Sequence, residues 1–210
     1  MVKIFVGTER KQWILPESLL CDRLKFFKAT FRGGFRESKE KVLELPEDDP
    51  IAFGYILDRI FGLSHWQIPF NFGQDFNERQ LMWCKVYVLE DRLGCQDSTD
   101  AENNYERAFE GEVERCLSEG KDLPLVSSAA VNYVYENTTA ESPMRQALAR
   151  CLASLQLMVP PMKESQIEDW ALCAGSHPRF HVDVMTDMRG HIHSEAEDCV
   201  LSRCAIHPDP

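Results

Sequence analysis

The residue types best suited to chemistry cluster near the C-terminus, where Cys173, His177, His181, His191, His193, Cys199, Cys204 and His207 include five of the chain's six histidines. Zinc takes Cys and His ligands in tetrahedral sets. Cys199, Cys204 and His207 form the best trio, with His191 or His193 available as a fourth ligand. No Cys-x-x-Cys pair accompanies them. His177 and His181 stand at helical spacing, but Pro178 between them argues against a regular helix there. The competing reading is a tail with exposed histidines and packed cysteines. No cofactor is therefore assigned. A zinc-dependent enzyme, or a zinc-stabilised structural protein, stands as the alternative to a metal-free, non-enzymatic role.

Other catalytic chemistry finds little support. A hydrolase needs a nucleophile with an oriented base, or an open metal position. The chain has no Gly-x-Ser-x-Gly, no phosphate-binding glycine loop and no His-Glu-x-x-His. Glu110, Glu112 and Glu114 suit a solvated helix face better than a catalytic pair. The expectation is a non-enzymatic protein.

The formal charge of −11 is unevenly spread. Residues 1–45 hold ten Lys/Arg against six Asp/Glu, or +4, leaving thirteen against twenty-eight, or −15, in 46–210. Phosphate attraction scales with the cations presented, so a net-acidic chain is not expected to bind nucleic acid directly. The basic density between Arg23 and Lys41 is local, and suits a solvated face or an acidic protein. The eight cysteines mostly lie in apolar-periodic runs, where a free thiol acts as a small buried hydrophobe. The opening "MVKIFVGTERK" lacks the apolar run of a secretion signal, and no stretch is apolar enough to span a membrane. These features predict cytoplasmic or nuclear placement with reduced thiols.

The elements that would position any site follow from periodicity. "VKIFVG" and "QWIL" predict a hairpin turned at Gly7, and Pro16 ends the second strand before a short helix, "ESLLCDRL". Asp22 is the expected cap of a second helix carrying Leu24, Phe27 and Phe31, stopped by Gly33 and Gly34. "VLEL" predicts a strand, and "PEDDP" a helix start with Asp49 as cap and Pro50 in the first turn. Phe53, Ile56, Leu57, Ile60 and Phe61 then form a buried stripe. Residues 63–76 read as an aromatic loop or weak strand. A helix from Asn77 to Leu93 comes next, with Leu81, Cys84, Val88 and Leu89 inward and Gly94 closing it, and then an acidic helix through "DAENNYERAFEGEVERCL". Beyond Asp122 the pattern is helical in "SSAAVNYVYENT", "SPMRQALARCLASLQL" and "KESQIEDWALCAG". The composition shift divides the chain into 1–120, mixed strand and helix, and 121–210, helical with the Cys/His tail.

In this order the elements resemble a BTB/POZ domain. The resemblance rests on "FVG…WILPESLLCDRLKFFKATFRGGFRESKEKVLELPEDDPIAFGYILDRIFG" and "VYVLEDRLG", and covers roughly Val2 to Leu93. It is most similar to the branch common in filamentous fungi that carries a helical extension, to which "YVYENT…SPMR" corresponds. The resemblance implies an α+β fold, with helices packed on a small sheet and an all-helical extension. It also implies protein–protein interaction, with itself or with a scaffold. Some family members recruit a cullin ubiquitin-ligase scaffold through a hydrophobic-x-acidic motif after the phenylalanine helix, which places Phe35 and Glu37 in that role here. The segment before the first strand that strand-swapped dimers use has no counterpart ahead of Val2. Pro16 and Glu17 replace the usual histidine and basic residue. Neither the swapped dimer nor the charged groove of repressor members is therefore expected. Leu19, Leu20 and Leu24 are the candidates for a different dimer interface, against a reading as core.

Overall fold

A computed structural model describes residues 1–60, 62, 75–95, 100–157, 164, 167–168, 171, 175 and 177–192. It is an α+β fold: a small mixed sheet with packed helices, followed by helices alone. Two compact units divide the chain, one of Met1–Gln74 with Lys85–Ala101, the other of Asp75–Cys84 with Glu102–Pro210. The composition shift near residue 120 lies inside the second unit.

In the first unit, β1 (Val2–Val6) and β2 (Lys11–Leu15) form the antiparallel hairpin, with Val2 opposite Leu15 and Ile4 opposite Trp13. Gly7 opens the turn at φ +76°, and a side chain there would also strike the Pro50 ring. On the other side of β1, β3 (Val42–Leu45) runs parallel, giving the order β2-β1-β3. Parallel neighbours need a crossover, and α1 (Glu17–Arg23), α2 (Lys25–Arg32) and α3 (Arg36–Glu40) supply it. Val2, Ile4 and Val6 are fully buried on one face, as their alternation predicts.

The expected Asp22 cap is corrected. Asp22 lies within α1, and the residue preceding α2 is Leu24, extended at φ −125°, with no side-chain cap. Burial decides this corner. Leu24 is 1% exposed and its N–H bonds the Leu20 carbonyl at 2.8 Å, so the first helix runs to its end before the chain turns. Phe27 and Phe31 stack with centroids 5.9 Å apart, and Phe27 and Trp13 both meet the Phe53 ring.

Phe53 belongs to α4 (Pro50–Ile60), whose start is as expected: Asp49 Oδ1 accepts from the Ile51 N–H at 2.8 Å and the Ala52 N–H at 3.4 Å. Phe53, Ile56 and Leu57 are buried and Ile60 half-buried, while Phe61 and residues 63–74 lie outside the described residues. α5 (Phe76–Leu93) ends at Gly94, φ +65°. Cys84 and Leu89 are buried as expected and Leu81 and Val88 half-buried, with Trp83, Val86, Tyr87 and Leu93 also buried. The helix is divided, its first half belonging to the second unit and its second half to the first.

The second unit continues with α6 (Asp100–Glu119), α7 (Ser128–Asn137), α8 (Pro143–Leu157) and α9 (Pro178–Ile192). The apolar stripe of α6 is Tyr105, Phe109, Val113 and Cys116. α9 corrects the expectation that Pro178 disrupts a helix: Pro178 is its first residue, where a missing N–H costs nothing. Phe180 and Val184 then bury inward, and α9 packs on α8. Most of 163–175, expected as a helix, lies outside the described residues. No helix among the described residues is long and apolar enough to cross a membrane.

Candidate functional site

The segment Gly33–Glu37 is built by two glycines with different tasks. Gly33 ends α2 at an ordinary φ of −84°, but a Cβ there would lie 2.2 Å from the Ala29 carbonyl oxygen and 2.9 Å from the Phe35 ring. Gly34 takes the left-handed conformation, φ +80°, with open space around it. One glycine permits close approach and the other the reversal. The expectation treated them as a single helix stop.

Phe35 leaves this turn 61% exposed. It is not on an open loop. It is the residue preceding α3, and its carbonyl accepts from the Ser38 N–H at 3.1 Å and the Ser38 hydroxyl at 2.6 Å. Its ring edge rests beside Gly33. Glu37 lies in the first turn of α3, half-buried, where a carboxylate favours the helix N-terminus. Lys41 closes the helix in the left-handed region, φ 58°, and its ammonium holds Glu17 at 2.8 Å. The pair Phe35 and Glu37 thus sits on a short helical turn, fixed at both ends by hydrogen bonds.

The surroundings are charged and paired. Arg36 pairs with Glu40 at 3.1 Å within α3, and Arg32 reaches Asp22 at 3.8 Å. An exposed aromatic with a carboxylate two residues on can anchor in an apolar pocket of a partner while the charge sets direction. It has no nucleophile–base arrangement.

The other sequence candidates fall elsewhere. Leu20 and Leu24 are buried in the first unit, at 0% and 1% exposure, and Leu19 is half-buried. Cys199, Cys204 and His207 lie outside the described residues, as do Cys173, His193 and the side chain of His191. His177 precedes α9, half-buried with its ring 5.7 Å from that of Tyr135, and His181 is exposed. Among the described residues no group of His, Cys, Asp or Glu is arranged to hold a metal. Cys21, Cys84, Cys95, Cys116 and Cys151 are free thiols, and burial pushes those of Cys84 and Cys151 far above their ordinary value. Such thiols are packing groups.

Two buried polar groups were not singled out by sequence reasoning. In the first unit, Arg59 on α4 pairs with Glu90 on α5 at 2.6 Å, both nearly fully buried. In the second, the Gln80 carboxamide oxygen accepts from the Tyr105 hydroxyl at 2.7 Å and the Ser127 N–H at 2.9 Å, while its nitrogen donates to the Leu125 carbonyl at 2.9 Å. A polar residue inside an apolar-periodic run was the only signal for either.

No family model matches the chain, and no curated protein matches it significantly.

Proposed function

We propose that the chain is a non-enzymatic protein-interaction module of BTB/POZ type. In this reading it serves as an adaptor that offers Phe35 and Glu37 to a cullin ubiquitin-ligase scaffold, itself a protein, while the helical second unit is free to engage another. The observation that carries the reading is Phe35: a large aromatic, 61% exposed, its carbonyl hydrogen-bonded on a glycine-built turn with Glu37 two residues on. Leaving that much apolar surface in water costs free energy that a partner pocket would recover. The α+β fold, with helices on a small sheet, supports the same reading. Self-association is the variant in which this chain is its own partner, and Leu19 is then the leucine of its group with surface to offer.

The test is capture of a cullin from extract of the source cell, wild type beside a Phe35→Ala, Glu37→Ala double variant. The expected result is cullin retained by the wild type and reduced about tenfold or more in the variant. If the wild type captures none, or the variant captures as much, the adaptor reading through this turn fails. Light scattering at tens of micromolar decides the self-associating variant, which predicts a mass above 24.2 kDa.

A further inference from the structure

The solvent face of α2 is a strip of Lys25, Lys28, Ala29 and Arg32, all exposed, opposite the buried Phe27 and Phe31. Spacing of three and four residues puts the three cations side by side. Arg32 reaches Asp22 at 3.8 Å, and no carboxylate among the described residues lies within ion-pair distance of Lys25 or Lys28. Nearby cations are matched differently: Arg36 has Glu40 and Lys41 has Glu17.

Folding does not account for Lys25 and Lys28. Both stand near the N-terminus of α2, whose partial positive charge favours acids, and no acid occupies its first turn. Arg32, in the last turn, is placed as the helix dipole favours. Two of the three cations are therefore set against the local electrostatics of their own helix, in a chain carrying −11 overall.

We propose that this face docks an acidic peptide segment of a partner protein. The match is by charge: three cations along one helix face suit spaced Asp or Glu side chains, and Ala29 leaves low relief between them. At physiological salt the screening length is about 8 Å, so the approaching segment feels this strip rather than the acidic remainder of the chain. A nucleic acid is disfavoured because three cations neutralise few phosphates and so release few counterions. The surface stands on α2 alone and does not rest on the family resemblance or on Phe35.

The experiment is fluorescence anisotropy of a labelled oligoglutamate peptide with the full chain. The wild type is compared with Lys25→Glu, Lys28→Glu, with Arg107→Glu as an exposed control on α6, and with Phe35→Ala, Glu37→Ala. Binding is expected to weaken about tenfold or more in the Lys25/Lys28 variant. It is expected to survive in the other two, and to fall several-fold as salt rises from about 50 to about 200 mM. The Lys25/Lys28 variant places acids in the first turn of α2, so its melting temperature is expected to hold or rise, which separates lost binding from lost folding. No binding by the wild type at low salt overturns the proposal, as does an equal loss with Arg107→Glu or loss with Phe35→Ala, Glu37→Ala. Tighter binding of single-stranded oligothymidylate than of oligoglutamate also overturns it, in favour of a phosphate surface.

Discussion

Gly33 shows how much one hydrogen atom in place of a methyl can decide. A Cβ at this position cannot coexist with the Ala29 carbonyl at 2.2 Å, so Gly33→Ala must displace the end of α2 and the Phe35 ring lying beside it. A loss of about 1–3 kcal/mol is expected from urea unfolding, together with weakened partner capture. Gly34→Ala meets no atoms but retains a left-handed backbone, so it should cost only about 1 kcal/mol. Equal costs at the two positions would contradict the division of labour between them. The presence of both glycines was legible from the sequence. Their different roles were not, because close approach depends on where Ala29 and Phe35 lie in space.

At the scale of elements, two buried polar groups carry testable weight. Arg59→Met breaks a buried ion pair with a Glu90 side chain of 0% exposure, and breaking such a pair from one side costs about 3–5 kcal/mol. Adding Glu90→Leu should recover most of that loss, since an apolar pair of similar volume replaces an ion pair at little cost. A double variant no more stable than the single one would refute this account of the α4–α5 contact. Gln80→Ala should cost about 3 kcal/mol in the second unit, because the Tyr105 hydroxyl, the Ser127 N–H and the Leu125 carbonyl all lose a partner. These bonds hold residues 121–127, which have no regular secondary structure yet bury Leu123 and Val126. Periodicity could place Gln80 on a helix, but the three partners come from 25 to 47 residues away in sequence. Only the folded chain assembles them.

For the molecule as a whole, acid stability offers a reading of the Asp49 cap. Burial pushes the Asp49 carboxyl up, but the hydrogen bonds from Lys85 at 2.7 Å and from the Ile51 and Ala52 N–H groups outweigh it, holding the group below its ordinary value. A carboxyl lowered on folding contributes stability that is complete above the unfolded value, about 3.9, and is lost as pH falls through the folded value. Melting temperature should therefore decline below about pH 4 in the wild type, and less steeply in Asp49→Asn. Identical acid profiles would show that Asp49 has no part in the acid response. The cap itself was readable from "PEDDP", whereas the Lys85 partner, 36 residues on, was not.

Several features encoded locally were legible before folding, although the short helix α3 was not. They include the hairpin at Gly7, the cap and proline that open α4, the glycines that end α2 and α5, and the phenylalanine stripe of α2, each set by backbone sterics or by a spacing within one element. Three others depended on the packed chain. Leu24 rather than Asp22 came to precede α2, because a buried leucine anchors that corner. Pro178 became the start of α9, because Phe180 and Val184 had a surface to bury against. Phe35 was left exposed while Phe27 and Phe31 were buried, although all three are the same residue type within nine positions. Burial depends on which neighbours the complete fold brings together, and a side chain's type cannot state that in advance.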